Sequence, residues 1–208
     1  MTTMFHTRVL HIRTVFALAG IALVMLAGAA ETLASKSALN RAYVQSGPDT
    51  MGSVFYARCV PGAAGGTAGR TEVFRVRDEG DEKLDAYDWF APGGLVLGWS
   101  PIKGKVAVLA VMRDRAGPDT DWKTQEALRL SLGGEQLASY TNAELIELGA
   151  EQSADSADGL HAGFIVIGCE QLPGTNEYDF VIEIADGKRL RFDMLTGKPR
   201  PATTRPAQ

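Results

Sequence analysis

The stretch KVAVLAVM, Lys105–Met112, is apolar on both faces of an extended strand once Lys105 is passed. Successive side chains of a strand point to opposite faces, so a strand with one solvated face alternates apolar and polar residues. This run lacks that alternation, and it therefore fits a central strand better than an edge strand. The sequence predicts a β-sheet in which Lys105–Met112 occupies a central position.

Shorter stretches before this run alternate with a period of two, which is typical of half-buried strands. Segments rich in glycine, proline and acidic residues separate them and predict turns. Many short strands with regular turns are typical of all-β sandwiches and barrels. The strands predicted before the central run are Val54–Val60, Glu72–Arg77, Leu84–Phe90 and Leu95–Trp99.

The segment YDFVIEIADGKRLRFDM, Tyr178–Met194, predicts a hairpin whose register can be assigned. A two-residue Asp-Gly turn would place isoleucines opposite arginines. A three-residue loop, Ala185–Gly187, with Gly187 in the left-handed conformation keeps apolar residues opposite one another. The expected cross-strand pairs are Ile182 with Leu190, Phe180 with Phe192 and Glu183 with Arg189.

A second hairpin is predicted at Gly133 and Gly134, which can adopt the positive φ angles of a two-residue turn. In a regular ladder across this turn, Leu130 faces Leu137.

One short helix is expected over Ala143–Ala150, capped by Thr141 or Asn142. Acidic residues in its first turns favour this placement because of the helix dipole. The predicted fold is therefore mainly β, an antiparallel sandwich or open barrel with one short helix. An α+β arrangement, with the helix on one sheet, is the alternative.

The N-terminal segment Met1–Ala30 differs in composition from the rest of the chain. Residues 1–13 carry arginines and no acid, and residues 14–30 form an apolar run that ends in small residues. These are the marks of a secretory signal peptide. The alternative is an uncleaved signal anchor, in which residues 14–30 hold the protein at the inner membrane. In both cases the remainder is exported, to the periplasm or as a secreted protein.

The exported part divides by composition into three ranges. Residues 31–50 are small and polar and predict a linker, with a short helix over Leu33–Tyr43 as the alternative, and residues 51–197 predict the β-rich domain. Residues 198–208, KPRPATTRPAQ, contain three prolines and three basic residues without apolar periodicity. We therefore expect this tail to be disordered.

Both cysteines, Cys59 and Cys169, follow the leader. An even number of cysteines in an oxidising compartment indicates a disulfide. Strand parity places each cysteine on a face shared with apolar residues, so both are expected to point toward a core. A Cys59–Cys169 disulfide is the prediction, and two buried inert thiols are the alternative.

The segment LDAYDWF places Asp85, Tyr87 and Trp89 on one face of a strand, with Asp88 on the other. Aromatic rings beside a carboxylate are typical of sugar-binding surfaces, because rings stack on pyranose faces while acids bind hydroxyls. These three residues are the candidate binding site. A hydrolase that uses Asp85 or Asp88 is the alternative, and it requires a second carboxylate at a suitable distance.

The remaining chemistry gives little support for catalysis. His161 is the only histidine after the leader, and its glycine-flanked position indicates a turn or strand entrance. Two distant cysteines and one histidine lack metal-ligand spacing, so no metal site and no catalytic residue is assigned.

A helix followed by strands that end in DGKRLRFDMLTGKPR is similar to the small PepSY module of exported proteins. The similarity covers about 55 residues and rests on general hairpin signals, so it assigns no residue a role.

The formal net charge of -4 argues against a nucleic-acid-binding protein, which would carry a basic patch. The sequence favours an exported β-rich domain that binds a partner or forms a structural part of the cell envelope, without a cofactor. The expected partner is an envelope protein or a glycan, and any membrane contact is through an uncleaved leader. A periplasmic carboxylate-dependent hydrolase acting on glycans is the alternative.

Overall fold

A computed structural model describes residues 41–47, 54–63, 65–113, 121–155 and 159–204. Within these ranges the chain is mainly β, with four antiparallel sheets and a single short α-helix. The predicted fold class is therefore confirmed. The predicted signal segment lies outside the described ranges, and within them no helix is long and apolar enough to span a membrane.

Each sheet is formed by strands that are consecutive in the chain. The first sheet contains β1 (Tyr43–Ser46), β2 (Phe55–Pro61), β3 (Gly69–Arg75) and β4 (Glu82–Tyr87). The second contains β5 (Leu95–Ser100), β6 (Lys105–Val111), β7 (Glu126–Leu132) and β8 (Glu135–Thr141). A two-stranded sheet contains β9 (Glu151–Asp155) and β10 (Gly159–Gly163). The fourth sheet contains β11 (Ile165–Gln171), β12 (Tyr178–Glu183), β13 (Lys188–Asp193) and β14 (Pro199–Thr204). The helix α1 (Asn142–Glu147) and the 3-10 turns Trp122–Thr124 and Ala185–Gly187 complete the described elements.

Side chains of β6 enter two separate hydrophobic cores. Val106, Val108 and Ala110 pack with residues of β2 and β3 in what we call the first core. Ala107 and Leu109 pack with residues of β12 and β13 in the second core. The β5–β8 sheet therefore lies between the β1–β4 sheet and the β11–β14 sheet. The predicted central position of β6 is confirmed, because β6 pairs with both β5 and β7.

The register predicted for the β12–β13 hairpin is confirmed at every assigned pair. Ile182 faces Leu190, Phe180 faces Phe192, and Glu183 faces Arg189. Gly187 has a φ angle of 67°, as the three-residue loop requires.

The β7–β8 hairpin differs from its predicted register by one residue. The turn at Gly133 and Gly134 is present, with positive φ angles at both glycines. However, Leu130 faces Ala138 rather than Leu137, because the register shifts between Leu130 and Ser131. A bulge at Leu137 accounts for this shift, and its side chain still packs against the second core.

The predicted Cys59–Cys169 disulfide is wrong, because both cysteines are free thiols. Cys59 lies in the first core, where its sulfur accepts a hydrogen bond from the Thr71 hydroxyl at 3.8 Å. Cys169 packs against the second core, and its thiol donates to the carbonyl oxygen of Leu97 at 3.7 Å. Strand parity correctly directed Cys59 toward a core. For Cys169, parity grouped the thiol with Ile165 and Ile167, which are exposed, and the thiol faces the second core because the register shifts between Val166 and Gly168. The β5–β8 sheet divides the two cores, however, and so separates the two sulfur atoms.

The helix α1 is shorter than predicted and begins with a capping box. The Thr141 hydroxyl accepts a hydrogen bond from the Glu144 amide at 3.2 Å, and the Thr141 amide donates to the Glu144 carboxylate at 2.7 Å. The helix ends before Gly149, whose φ angle is 107°. These two signals confine the helix to Asn142–Glu147.

Two segments predicted to lack structure contain edge strands. In the predicted linker, residues 31–50, Tyr43–Ser46 pairs with β2. In the predicted disordered tail, residues 198–208, Pro199–Thr204 pairs with β13. The tail differs from this prediction because Arg200 forms ion pairs with carboxylates of the same sheet, at 2.6 Å from Asp193 and 3.0 Å from Asp179.

Burial of β6 on both faces makes its side chains sensitive to truncation. Leu109→Ala is expected to lower the free energy of unfolding by about 2–5 kcal/mol, because Leu109 is fully buried. The matched control Ile102→Ala removes a side chain that is 52% exposed and should cost less than about 0.5 kcal/mol. Urea denaturation measures both values, and equal losses would contradict the assigned position of β6.

The cysteine assignment predicts a thiol count. The full chain, purified without reductant and unfolded in guanidinium, should react with a thiol reagent at both cysteines. The native chain should react slowly, because burial raises the pKa of Cys59 and raises that of Cys169 to about 12. A chain with no reactive thiol, and a mass lower by two hydrogens, would show that the disulfide forms.

Candidate functional site

The structure brings the three predicted binding residues together but buries the rings. Tyr87 and Trp89 are 6% and 7% exposed, lie in the first core, and have ring centroids 4.9 Å apart. The guanidinium of Arg129 lies 5.7 Å over the Trp89 ring. Asp85 is half-buried, which raises its pKa, although Lys105 partly opposes this shift. The rings consequently offer no open face on which a sugar could stack.

A different region contains a cavity of about 390 Å³. This volume lies within the range of pockets that bind small ligands. The cavity is bordered by β9, β10, the start of β11 and the end of β12. We call this cavity the cleft, and its principal side chains are Arg113, Glu151, Ser153, His161, Phe164 and Glu183.

The β9–β10 hairpin forms one wall of the cleft. Ser153 pairs with His161, and Glu151 pairs with Gly163. Alternate residues of a strand share a face, so Glu151, Ser153 and His161 point to the same side of the hairpin. A side chain at Gly163 would fill part of this space, since its Cβ would lie 3.1 Å from that of Ser153.

Asn142 attaches this hairpin to the helix. Its side-chain amide donates to the carbonyl oxygen of Trp122 at 2.8 Å and accepts from the amide of Ala162 at 2.9 Å. Asn142 itself is only 4% exposed. The two hydrogen bonds hold β10 in place and so position His161, which is 7% exposed, beside the cavity.

Arg113 and Phe164 form the floor of the cleft. Phe164 belongs to the second core and is 8% exposed. The guanidinium of Arg113 lies 5.1 Å over the Phe164 ring and donates to the Phe164 carbonyl oxygen at 3.2 Å. The side chain of Arg113 is thereby oriented on an aromatic surface.

Two carboxylates lie at the mouth of the cleft. Glu151 is exposed, and Glu183 lies 3.7 Å from the guanidinium of its cross-strand neighbour Arg189. The cleft thus combines a guanidinium that lies over a largely buried ring, hydrogen-bonding groups and two acids. These groups can bind a polar ligand, and the acids could also transfer protons. In the part of the chain that the structure describes, no three metal-ligating side chains are grouped together.

Sequence reasoning identified only one residue of the cleft, His161, and assigned it no function. The other groups come from three separate segments, around residue 113, over residues 151–165 and over residues 183–185. No local pattern marks Glu151 or Glu183 as members of one site. The predicted residue Asp88 is exposed, and neither Asp85 nor Asp88 lines the cleft.

No family model, curated protein or solved structure matches this chain. The function is therefore inferred from the chemistry of the cleft itself.

The role of Asn142 can be tested by substitution. Asn142→Ala leaves a buried amide and a carbonyl without their partners and should lower the free energy of unfolding by about 2–4 kcal/mol. Asn142→Asp retains the acceptor for Ala162 and should cost less. NMR signals of the His161 ring should broaden in the alanine variant only. Unchanged stability and an unchanged spectrum in that variant would show that Asn142 does not hold the hairpin in place.

Proposed function

We propose that this protein is an exported, β-rich binding protein of the cell envelope and that its partner, an envelope protein or a glycan, contacts the cleft. The observation that carries the proposal is the composition of the cleft. The Arg113 guanidinium, which lies over the largely buried Phe164 ring, forms its floor, and a hydroxyl, an imidazole and two carboxylates surround it. A largely preformed cavity with a few convergent polar groups is the usual form of a binding site.

The proposal of export rests on the leader, Met1–Ala30. A periplasmic or secreted location follows if the leader is cleaved, and an inner-membrane location follows if residues 14–30 are retained. The cysteines no longer support export, because they are unpaired.

The packing of the sheets favours binding by a preformed surface. The walls of the cleft are strands whose other faces contribute to the second core through Ala162, Phe180 and Ile182. Residues on such strands keep their positions when a ligand arrives, because core side chains are closely packed.

A carboxylate-dependent glycan hydrolase is the second candidate, for one reason. Glu151 and Glu183 line the same cavity, and hydrolases of this class use two carboxylates that flank the bond they break. This candidate differs from the sequence-based alternative, because the acids lie in the cleft rather than at Asp85 and Asp88.

Binding can be tested with the full chain by NMR titration, using chitotetraose as a glycan probe and a capped hexapeptide KVKVKV as a peptide probe. We expect one of the two probes to shift the signals of Gly163, Phe164 and Ile165. Ser153→Trp should fill the cavity and abolish these shifts, while the control Ile102→Trp adds the same ring at an exposed position. Should both probes leave the cleft signals unchanged at millimolar concentration, the proposed function is wrong.

Mass spectrometry of the same samples distinguishes binding from hydrolysis. A binding protein leaves chitotetraose intact. Cleavage that is lost in both Glu151→Gln and Glu183→Gln would instead establish the hydrolase.

A further inference from the structure

One edge of the β9–β10 sheet borders the cleft. The far side of β10 is covered by α1, where the amide of Ala162 donates to Asn142. Within the described residues no third strand pairs with β9. Three consecutive residues of β9, Glu151, Gln152 and Ser153, all line the cavity. Glu151 and Ser153 share the face of the hairpin that lines the cavity with His161 and Gly163, whereas Gln152, whose side chain points to the opposite face, borders the cavity at the β9 strand itself.

An exposed apolar side chain lines the same cavity as β9. Ile165 is 67% exposed and lines the cleft, and Ile167, two residues further along β11, is 42% exposed. Native sheets usually protect an open edge with charges, bulges or a covering segment. An open edge that shares a cavity with an exposed isoleucine is an arrangement to which an extended segment can add as a further strand.

The charge at the mouth of the cleft selects the chemistry of that segment. Glu151 is exposed and forms no ion pair within the described ranges. Glu183 lies 3.7 Å from Arg189, and the neighbouring Glu170 pairs with both Arg189 and Arg191, so two arginines balance these two carboxylates. The cation of the cleft, Arg113, is directed to the ring and carbonyl oxygen of Phe164 at the floor. Among the described carboxylates of the cleft, Glu151 is therefore the one that can pair with a basic side chain of a ligand.

We infer that the cleft binds an extended, basic and apolar peptide segment of a partner protein, which adds to β9 as a third strand. Backbone hydrogen bonds to β9 hold the segment, an apolar side chain packs on Ile165, and a basic side chain lies beside Glu151. This inference rests on the proposed function and selects a protein partner over a glycan.

The experiment compares three capped hexapeptides in NMR titrations of the full chain. KVKVKV should bind and shift signals of β9 and of Ile165, whereas EVEVEV should bind at least about tenfold more weakly because its charges repel Glu151. A version of KVKVKV in which every second backbone amide is N-methylated should not bind to β9, because the amides that face the strand have lost the hydrogen that they would donate. Binding of KVKVKV should also weaken as salt is raised.

Matched charge reversals locate the contact. Glu151→Lys should weaken binding of KVKVKV about tenfold or more. Glu79→Lys makes the same change of charge in an exposed turn and should leave the affinity unchanged. Both positions are exposed, and an unchanged spectrum away from the substitution verifies that each variant is folded.

The outcomes separate this inference from the proposed function. Shifts of the cleft by chitotetraose, without binding of KVKVKV, overturn the peptide inference and leave the proposed function in place. Absence of binding by both probes overturns both. Shifts of β9 that depend on protein concentration without any peptide assign the edge to a second copy of the chain and also overturn the inference. Equal affinity of KVKVKV for the Glu151→Lys and Glu79→Lys variants would show that the peptide does not contact Glu151, and would overturn the inference.

Discussion

Both faces of β6, in the middle of the β5–β8 sheet, are buried, and the rest of the structure depends on this constraint. Because β6 presents apolar side chains on each side, it is stable only where another sheet covers each face. Full burial of a valine or leucine contributes about 1.5–3 kcal/mol, and Val108 and Leu109 are both completely buried. The β1–β4 sheet covers one face and the β11–β14 sheet covers the other, which creates two cores. The division of the cores explains why two core-facing cysteines remain apart.

The β11–β14 sheet is also held by charges on its outer face. Asp179 is fully buried and lies 3.0 Å from Arg200 of β14, while Glu170 of β11 binds both Arg189 and Arg191 of β13. A buried ion pair is weak evidence for stability, since desolvation offsets much of its attraction. Removing one partner is nevertheless costly, so these pairs fix which strands lie side by side. They hold β12, whose end forms a wall of the cleft, in register with its neighbours.

Local patterns in the sequence correctly predicted those features of the fold that depend on residues close together in the chain. The central position of β6, the β12–β13 register and the cap at Thr141 follow from periodicity, turn chemistry and hydrogen bonding within a few residues. The division of the core and the strand Pro199–Thr204 depend on contacts between distant segments, which periodicity does not encode. The cleft was missed for the same reason. Its groups come from three separate segments, and the aromatic residues beside Asp85 that resembled a sugar platform fill the first core instead.

Native-state hydrogen exchange on the full chain tests the buried middle sheet most directly. If β6 lies at the centre of a sheet covered on both faces, its amides should exchange only through global unfolding. The amides of the edge strand β1 should exchange through local opening at a lower free energy. Exchange free energies measured over Val106–Ala110 should equal the free energy of global unfolding and exceed those over Tyr43–Ser46. Exchange at Val106–Ala110 as fast as at β1 would contradict a middle sheet buried on both sides.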